Sequence, residues 1–265
     1  FENVPGILSA KPGDGSVRII DLIQKAFADA GYAVLPDLSN AIIDMTEYGV
    51  PQNRKRIIIL GVSKEHYGDK AEAMVEKFYS SYLPEYKIEK KATVRDAIGD
   101  LPKLRPLDEP ISYLGRKLSH SVSDPLINGH ISRFHNKRDI ELFKFLEEDI
   151  ASGRMKYTSA KSLKTLYTKL TGKTSNVHKY YVLRWDEPSN LIPAHLFKDG
   201  LRHIHPDPEQ ARTITVREAA RLQTFPDDYY FNCSQTDAFK MIGNAVPPLF
   251  AKKVAYAIYH LIQEN

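Results

Sequence analysis

The hydrophobic and polar positions of residues 1–63 predict one helix and several strands. Apolar side chains recur at helical spacing from Ile19 to Ala30, Gly31 ends the predicted helix, and Asp14 or Ser16 is placed to cap its first turn. Runs of β-branched and apolar residues predict strands at residues 32–35, 40–45 and 56–62. We interpret this part as an α/β domain with a partial, doubly wound sheet, because a complete one needs several more strands to cover both faces.

After Ser63 the pattern loses its regularity. Helical spacing recurs at residues 71–82, 138–150 and 159–170, and short predicted strands and turns fill the intervals. The sequence contains no internal repeat or low-complexity tract. We interpret residues 64–212 as a mixed α+β domain inserted into the first domain.

Regular helical signals return in residues 213–265. Thr215 and Glu218 have the spacing of a capping box, which predicts the start of a helix. Arg217 and Arg221 lie one turn apart on that helix and point the same way. They either brace the two domains or grip a nucleic-acid backbone, although arginines are also common on exposed helix faces.

A final helix is predicted after the prolines at positions 247 and 248. Its apolar residues recur at helical spacing as far as Leu261, and prolines are well suited to a helix start. This apolar stripe has to pack against something, and the sheet of residues 1–63 is the simplest surface. We therefore predict that residues 213–265 return to the first domain.

Composition excludes several protein classes. The 265 residues include one cysteine, Cys233, which excludes an internal disulfide and any Cys-rich zinc site and fits a reducing compartment. We interpret Cys233 as a small buried side chain. No run approaches the roughly 18 apolar residues of a membrane span, and no leader opens the chain, so a cytoplasmic protein with no metal is expected. Because the chain starts with Phe1, we expect it to begin inside a longer gene product or after processing.

Positive charge is concentrated in one segment. No Asp or Glu occurs from Ile150 to Trp185, whereas the rest of the chain has 29 basic and 33 acidic residues. Tyr157, His178 and many Ser and Thr are interleaved with the basic residues, a mixture that contacts phosphates and sugars. A lysine-rich face kept for solubility is the alternative. The residues predicted to bind a polyanion are Arg154, Lys156, Lys161, Lys164, Lys169, Lys173, Lys179 and Arg184.

Two arginines stand at the start of the last predicted strand of the first domain. In Gln52-x-Arg54-x-Arg56, strand periodicity places the three polar side chains on one side. Arginine stays charged at any working pH and presents a planar fork of donors, which suits phosphate and nucleobase oxygens. A solvated edge strand with basic side chains is the alternative interpretation.

Four motifs, in this order, resemble those of the DNA cytosine-5 methyltransferases. They are Glu2-Asn3-Val4, Gln52-x-Arg54-x-Arg56, Arg217-Glu218-x-Ala220-Arg221-Leu222-Gln223-x-Phe225-Pro226 and Gly243-Asn244-Ala245-Val246-Pro247-Pro248. The last two are long and specific, and the interval between the second and third has the size of that family's target recognition domain. The resemblance implies a Rossmann-like methyltransferase sheet with an inserted target recognition domain, S-adenosyl-L-methionine as cofactor and duplex DNA as partner.

The resemblance also implies roles for the motif residues. In such enzymes the target cytosine is flipped out of the duplex, a cysteine thiolate adds to C6, and C5 then takes the methyl group. Glu2 would act near N3, Arg56 would contact O2, and Arg54 would contact the neighbouring backbone or the cysteine side. The remaining motif residues would support these: Asn3 in the loop around Glu2, Gln52 in the arginine motif, Asn244, Ala245 and Val246 in the cofactor pocket, and Arg217, Glu218, Arg221 and Gln223 in the helix that supports the recognition domain.

Two parts of the family pattern are missing from the sequence: the Pro-Cys motif with the nucleophile and the Gly-rich turn that binds most of the cofactor. We therefore expect the C-terminal half of a methyltransferase, inactive by itself, with the cysteine supplied by an N-terminal half in a missing segment or a separate chain. A bacterial or phage restriction-modification system is the expected setting. Two alternatives stay open: a catalytically inactive DNA-binding or regulatory module, and an RNA cytosine-5 methyltransferase.

Overall fold

The computed structural model describes residues 1–13, 15, 17–176, 179–198 and 200–264. The predicted helix cap at Asp14 or Ser16, and His178 of the basic segment, lie outside the described residues. The chain divides into two compact units. The first unit comprises Phe1–Lys91 and the segment from Leu249 onward, and the second unit comprises Ala92–Pro248.

The two units contain short strands and helices of varied length. The strands are β1 (Glu2–Asn3), β2 (Tyr32–Ala33), β3 (Ile42–Asp44), β4 (Lys55–Ile58), β5 (Val62–Ser63), β6 (Pro106–Tyr113) and β7 (Arg116–His120). The helices are α1 (Ile19–Asp29), α2 (Lys64–Tyr67), α3 (Lys70–Lys77), α4 (Val94–Ile98), α5 (Lys137–Ala151), α6 (Ala160–Thr171), α7 (Val216–Leu222), α8 (Gln235–Asn244) and α9 (Pro248–Gln263). The predicted helices of residues 138–150 and 159–170 are confirmed as α5 and α6. The one predicted at 71–82 is α3, continued by a π-helical stretch, Phe78–Tyr82.

In the first unit, β4 is the central strand of a three-stranded sheet. It runs antiparallel to β1 on one side and to β3 on the other, so β1 and β3 point the same way. The register places Glu2 opposite Ile58 and Ile43 opposite Arg56. The mixed α/β character predicted for this part is confirmed. Its described strands pair only antiparallel, so a doubly wound sheet stays a prediction.

The last predicted strand of the first unit, at residues 56–62, is wrong as a single element. β4 begins at Lys55 and ends at Ile58, and Val62–Ser63 form β5, which pairs with β2 instead. Gly61 lies in the break, where a Cβ atom would be 2.9 Å from the Phe27 ring. A side chain at this position would therefore have to displace the Phe27 ring of α1.

Helix α9 belongs to the same unit as the three-stranded sheet. Phe250, Ala257 and Leu261 are buried along one side of it, and the Phe250 ring contacts the Tyr48 ring edge-on with centroids 5.3 Å apart. Lys253 Nζ donates to the Tyr86 carbonyl oxygen at 2.9 Å. None of the described helices is both long and apolar enough to span a bilayer.

The second unit contains two hydrophobic clusters. One surrounds α4, α7 and α8 and includes Leu222, Phe239 and Ile242, and the other lies between α5 and α6. The predicted capping box is confirmed, because the Thr215 hydroxyl and the Glu218 carboxylate each accept from the other residue's backbone N–H. The prediction that Cys233 is buried is wrong. It is exposed just before α8, with its Sγ 3.9 Å from Met241 Sδ.

Candidate active site

Glu2 and Arg56 meet across the pair of strands β1 and β4. Because Glu2 lies opposite Ile58, Arg56 is its diagonal neighbour on the same face, within reach of a long side chain. Arg56 Nε lies 2.9 Å from Glu2 Oε1, and the side chains are 10% and 30% exposed, respectively. Arg56 also donates from Nη1 to the Lys55 carbonyl oxygen at 2.8 Å. The structure thus fixes the guanidinium firmly and leaves the carboxylate partly open to a ligand.

Burial along this segment follows the predicted alternation. Gln52, Arg54 and Arg56 are buried, whereas Asn53 and Lys55 between them are exposed. The three polar side chains therefore point inward from a central strand and the loop before it. The alternative of a solvated edge strand is wrong.

Arg54 adds a second cation beside the Glu2–Arg56 pair. Its side chain is 2% exposed. Burial and the charge of Arg56 lower the pKa of Arg54 to about 10, against the opposing effect of Glu2. Burial also lowers the pKa of Arg56, and Glu2 raises it. Because arginine keeps its proton at neutral pH even so, two fixed cations and one carboxylate leave a positive site that can stabilise charge developing on an oxygen.

Asn3 helps to shape the chain where β1 ends. Its Oδ1 accepts from the Val4 backbone N–H at 2.8 Å. This contact fixes the exit from β1 next to Glu2, because an Asn side chain that bonds its neighbouring backbone restricts the local turn.

The motif around Gly243 ends α8 in the second unit. A Cβ atom at Gly243 would lie 2.3 Å from the Ala194 backbone nitrogen, so only glycine permits this packing. Gln223 Nε2 donates to the Ala245 carbonyl oxygen at 2.6 Å, and the Ala245 N–H bonds to carbonyls of α8. Asn244 is exposed and Val246 half-buried. Of the three predicted cofactor residues, Asn244 offers a side-chain amide to a ligand, while the backbone of Ala245 is bonded within the unit.

Arg217 and Arg221 are committed to contacts inside the second unit. Arg217 is 1% exposed and donates to the carbonyl oxygens of Asn128, Pro226 and Tyr229 at 2.8–3.1 Å. Arg221 pairs with Asp100 and Asp227. Arg217 therefore does not grip a nucleic-acid backbone. It joins α7 to the loop at Asn128 and to the segment after α7, at Pro226 and Tyr229.

Glu218 has a buried partner that no sequence motif marks. Arg212, fully buried, donates from Nη1 and Nη2 to both Glu218 carboxylate oxygens at 2.7 and 2.6 Å. Burial alone would raise the pKa of Glu218, but the charge and hydrogen bonds of Arg212 lower it below its usual range. His205 lies 3.6 Å from the same carboxylate, and burial lowers its pKa to about 3, so the imidazole is neutral. Arg212 and Glu218 therefore form a buried ion pair in the second unit, beside a neutral His205.

Glu147 on α5 is a second buried carboxyl group without a sequence signal. Its side chain is 1% exposed, and neither carboxyl oxygen has a hydrogen-bond partner among the described residues. Burial raises the pKa of Glu147 well above its ordinary value of 4.5. Arg212 opposes this rise, and Asp207 and Glu148 add to it.

Replacing Glu147 with glutamine should stabilise the protein more and more as the pH rises. Above pH 4.5 the unfolded chain releases this proton and the folded chain keeps it. The free energy of unfolding of the wild type then falls by about 1.4 kcal/mol per pH unit up to the folded pKa of Glu147. The glutamine variant does not lose this stability, because its side chain does not titrate. Urea unfolding of both proteins between about pH 4.5 and pH 8 measures the difference. The exposed neighbour supplies the control, Glu148→Gln. If the free energies of unfolding of wild type and Glu147→Gln differ by the same amount at every pH, Glu147 does not have a raised pKa in the folded protein.

The basic segment presents most of its charges to solvent. Arg154, Lys156, Lys161, Lys169 and Lys173 are exposed, and Lys164, Lys179 and Arg184 are half-buried. Arg154 lies 3.8 Å from the Asp149 carboxylate. The three lysines of α6 form no ion pair with any carboxylate in the described part of the chain, so their charge is available to a polyanion.

Comparisons with known proteins agree on one family. The family model for the C-5 cytosine-specific DNA methylases matches residues 1–260. Type II methyltransferase M.Bpa9945I of Bacillus paralicheniformis is 35% identical over 99% of this chain and 60% of its own length. Type II methyltransferase M.AgeI of Thalassovita gelatinovora is 30% identical over 97% of this chain and 72% of its own length.

A solved structure has the same fold. It comes from Escherichia coli and is described as a DNA modification methyltransferase encoded within a prophage. Its TM-score is 0.60 at 23% sequence identity, and the match covers 99% of this chain and 68% of that one. The chain thus spans 60% of the length of the Bacillus relative, 72% of M.AgeI and 68% of the Escherichia coli protein. With its motifs, its fold and the match over residues 1–260, the chain belongs to the C-5 cytosine-specific DNA methylase family.

Proposed function

We propose that these residues form the C-terminal part of a DNA cytosine-5 methyltransferase that methylates C5 of a flipped cytosine in a specific duplex sequence. The observation that carries this proposal is the contact between Glu2 and Arg56 on β1 and β4, with Arg54 beside it. A carboxyl group and fixed cations held together on a rigid sheet match the needs of a pyrimidine ring that becomes negatively charged.

The chemistry assigns a task to each side chain. Addition of a thiolate to C6 of cytosine places negative charge on N3 and O2 of the ring. Glu2, whose carboxyl group is partly open, hydrogen-bonds N3 or, in its protonated form, gives it a proton, and Arg56 donates to O2. Arg54, buried and cationic, adds to the positive potential around them. The base has to leave the stack for these contacts, because both reacting faces are covered in a duplex.

Members of this family take their methyl group from S-adenosylmethionine, whose sulfonium makes that methyl an electrophile. Residues of the second unit fit part of a binding site for this cofactor. The exposed Asn244 amide can both donate and accept hydrogen bonds. Gly243 and Gln223 position this part of the site through the Ala194 backbone and the Ala245 carbonyl. The residues that hold the rest of the cofactor belong to the Gly-rich turn, which the sequence does not contain.

The nucleophile is supplied from outside these 265 residues, by another part of the same polypeptide or by a separate chain. Cys233 lies in Asn-Cys-Ser-Gln rather than in a Pro-Cys motif, and it is exposed beside Met241. A relative of which this chain spans 60% leaves room for such a region.

The second unit is the proposed reader of the DNA sequence. Its basic segment supplies phosphate contacts, and a unit of this size provides a dedicated element to enter a groove, which duplex recognition requires. This favours duplex DNA over an RNA substrate.

Reconstitution tests the proposal. Mixed or fused with an N-terminal half that carries a Pro-Cys motif and a Gly-rich turn, the chain should transfer a labelled methyl group from S-adenosylmethionine to C5 of cytosine in duplex DNA. Neither half should do so alone. Salt-sensitive DNA binding without any methyl transfer in the reconstituted protein would instead support a binding or regulatory module. Transfer to RNA and not to DNA would overturn the choice of substrate.

A further inference from the structure

The hairpin of β6 and β7 has an apolar side chain at its tip. Leu114 and Gly115 form its two-residue turn, with φ values of 50° and 72°. Leu114 is 79% exposed, close to the highest exposure of any large hydrophobic residue in the described part of the chain. The strands on either side pair Tyr113 with Arg116 and Ser112 with Lys117.

Leucine is a poor choice for this position on grounds of stability. Positive φ at both central residues is the pattern of a type I′ turn, for which Asn-Gly is strongly preferred. A bulky side chain in the left-handed region is an outlier, and an exposed leucine gains nothing from burial within the fold. A residue that is both strained and exposed points to a contact outside the fold.

The surroundings of Leu114 are cationic and aromatic. Arg116 and Lys117 are exposed on β7, and neither forms an ion pair with a carboxylate of the described residues. Lys117 Nζ lies 4.7 Å from the centre of the exposed Phe134 ring. Two cavities of about 220 and 210 Å³ adjoin β7, sharing Arg116, Leu118 and Gln235, and no Asp or Glu lines either of them.

We propose that the β6–β7 hairpin is a DNA wedge: Leu114 inserts between stacked base pairs, and Arg116 and Lys117 bind the phosphates on either side. Proteins that unstack DNA insert apolar side chains of this kind between base steps and anchor them with basic residues. The adjacent cations, with no carboxylate lining either cavity, favour a polyanion over a protein partner. The carboxylates of this hairpin, Asp108 and Glu109, lie on β6, six and five residues before Leu114. This inference rests on the proposed function, because a cytosine that leaves the duplex requires local unstacking.

The wedge can be tested separately from the basic segment. The test variant is Leu114→Asn, which gives the turn its preferred sequence and should therefore raise the thermal stability of the protein. The matched control is Leu126→Asn, since Leu126 is 81% exposed on another turn of the second unit. A double variant, Arg116→Gln with Lys117→Gln, removes the flanking charges. Simultaneous reversal of Lys161, Lys164 and Lys169 to glutamate probes the basic segment on α6.

Two measurements on the full chain distinguish these roles. The first is the affinity for a fluorescein-labelled duplex as a function of salt. The second is the change in linking number of closed-circular plasmid relaxed by a topoisomerase in the presence of the protein, which reports unwinding by an inserted side chain.

We expect Leu114→Asn to abolish the unwinding and to weaken duplex binding by about 10-fold to 100-fold, the equivalent of exposing a buried leucine. The salt dependence should stay unchanged, because no charge is lost. The Arg116 and Lys117 double variant should reduce the slope of log affinity against log salt by about 2. Leu126→Asn should behave as wild type.

Several outcomes would overturn the wedge. One is a Leu114→Asn variant that is more stable but unwinds plasmid and binds duplex as wild type does. Another is a change in the protein's own association state, seen by sedimentation, with DNA binding intact, which would make the tip a protein contact. If duplex binding is lost only when the three α6 lysines are reversed, the basic segment binds DNA and the wedge proposal is rejected. Methyl transfer by the reconstituted protein is measured separately from unwinding and duplex binding. Its absence would contradict the proposed function and would leave the test of the wedge unaffected.

Discussion

Replacing Glu2 with glutamine should lower the rate of methyl transfer by the reconstituted enzyme by about 100-fold to 10,000-fold, the usual contribution of a general acid or base. Glutamine keeps the shape of the side chain and can still hydrogen-bond, but it cannot protonate N3 of the ring. The loss should appear in kcat, because the carboxyl group acts on charge that develops only after the thiolate adds. The affinity for duplex DNA should not fall.

A second variant checks that the effect is chemical. Glu2→Gln removes the partner of the buried Arg56, so unfolding has to be measured alongside activity. Arg56→Ala should also lower kcat, by about 100-fold to 1,000-fold, as expected for one donor to a developing oxyanion. The control is Glu72→Gln, which breaks an exposed ion pair with Lys64 in the same unit and should leave activity unchanged. Full activity in both Glu2→Gln and Arg56→Ala would reject the assigned roles.

Local patterns in the sequence were sufficient to predict part of this site. Gln52, Arg54 and Arg56 alternate with exposed residues, and alternation over so short a stretch needs only an extended backbone. The capping box of Thr215 and Glu218 was also predictable, because its two hydrogen bonds join residues three apart. Features of this kind need no knowledge of the rest of the fold.

Other features depend on contacts that spacing does not encode. The break between β4 and β5 contains Gly61, which packs against Phe27, a residue far from it in the sequence. Cys233 is exposed because the turn before α8 faces solvent, although its apolar character favoured burial. The pairing of Arg212 with Glu218 likewise depends on how the loop before α7 folds back. Tertiary packing therefore decided each of these outcomes.

The buried pair of Arg212 and Glu218 leads to the largest expected effect on stability. Glu218→Gln should lower the free energy of unfolding by about 3–5 kcal/mol, because Arg212 would stay buried without its counter-charge. Glutamine can still accept from the Thr215 backbone N–H, as it does in capping boxes, so the start of α7 is kept. Urea unfolding at neutral pH measures the loss. The control is Glu209→Gln, which removes an exposed carboxylate that pairs with Lys103 and Arg105, and it should cost far less.

The pH dependence of this loss separates charge pairing from simple packing. The Glu218 carboxyl has a lowered pKa in the folded state, so its stabilisation is present above the unfolded value of 4.5 and is lost as the pH falls through the folded pKa. The difference in the free energy of unfolding between wild type and Glu218→Gln should therefore become smaller in acid. This pH dependence is opposite in sign to that of Glu147, whose raised pKa lowers the free energy of unfolding as the pH rises. A difference that stays constant from neutral pH into acid would mean that glutamine fails through shape or hydrogen bonding, and that the charge of Glu218 does not hold this core together.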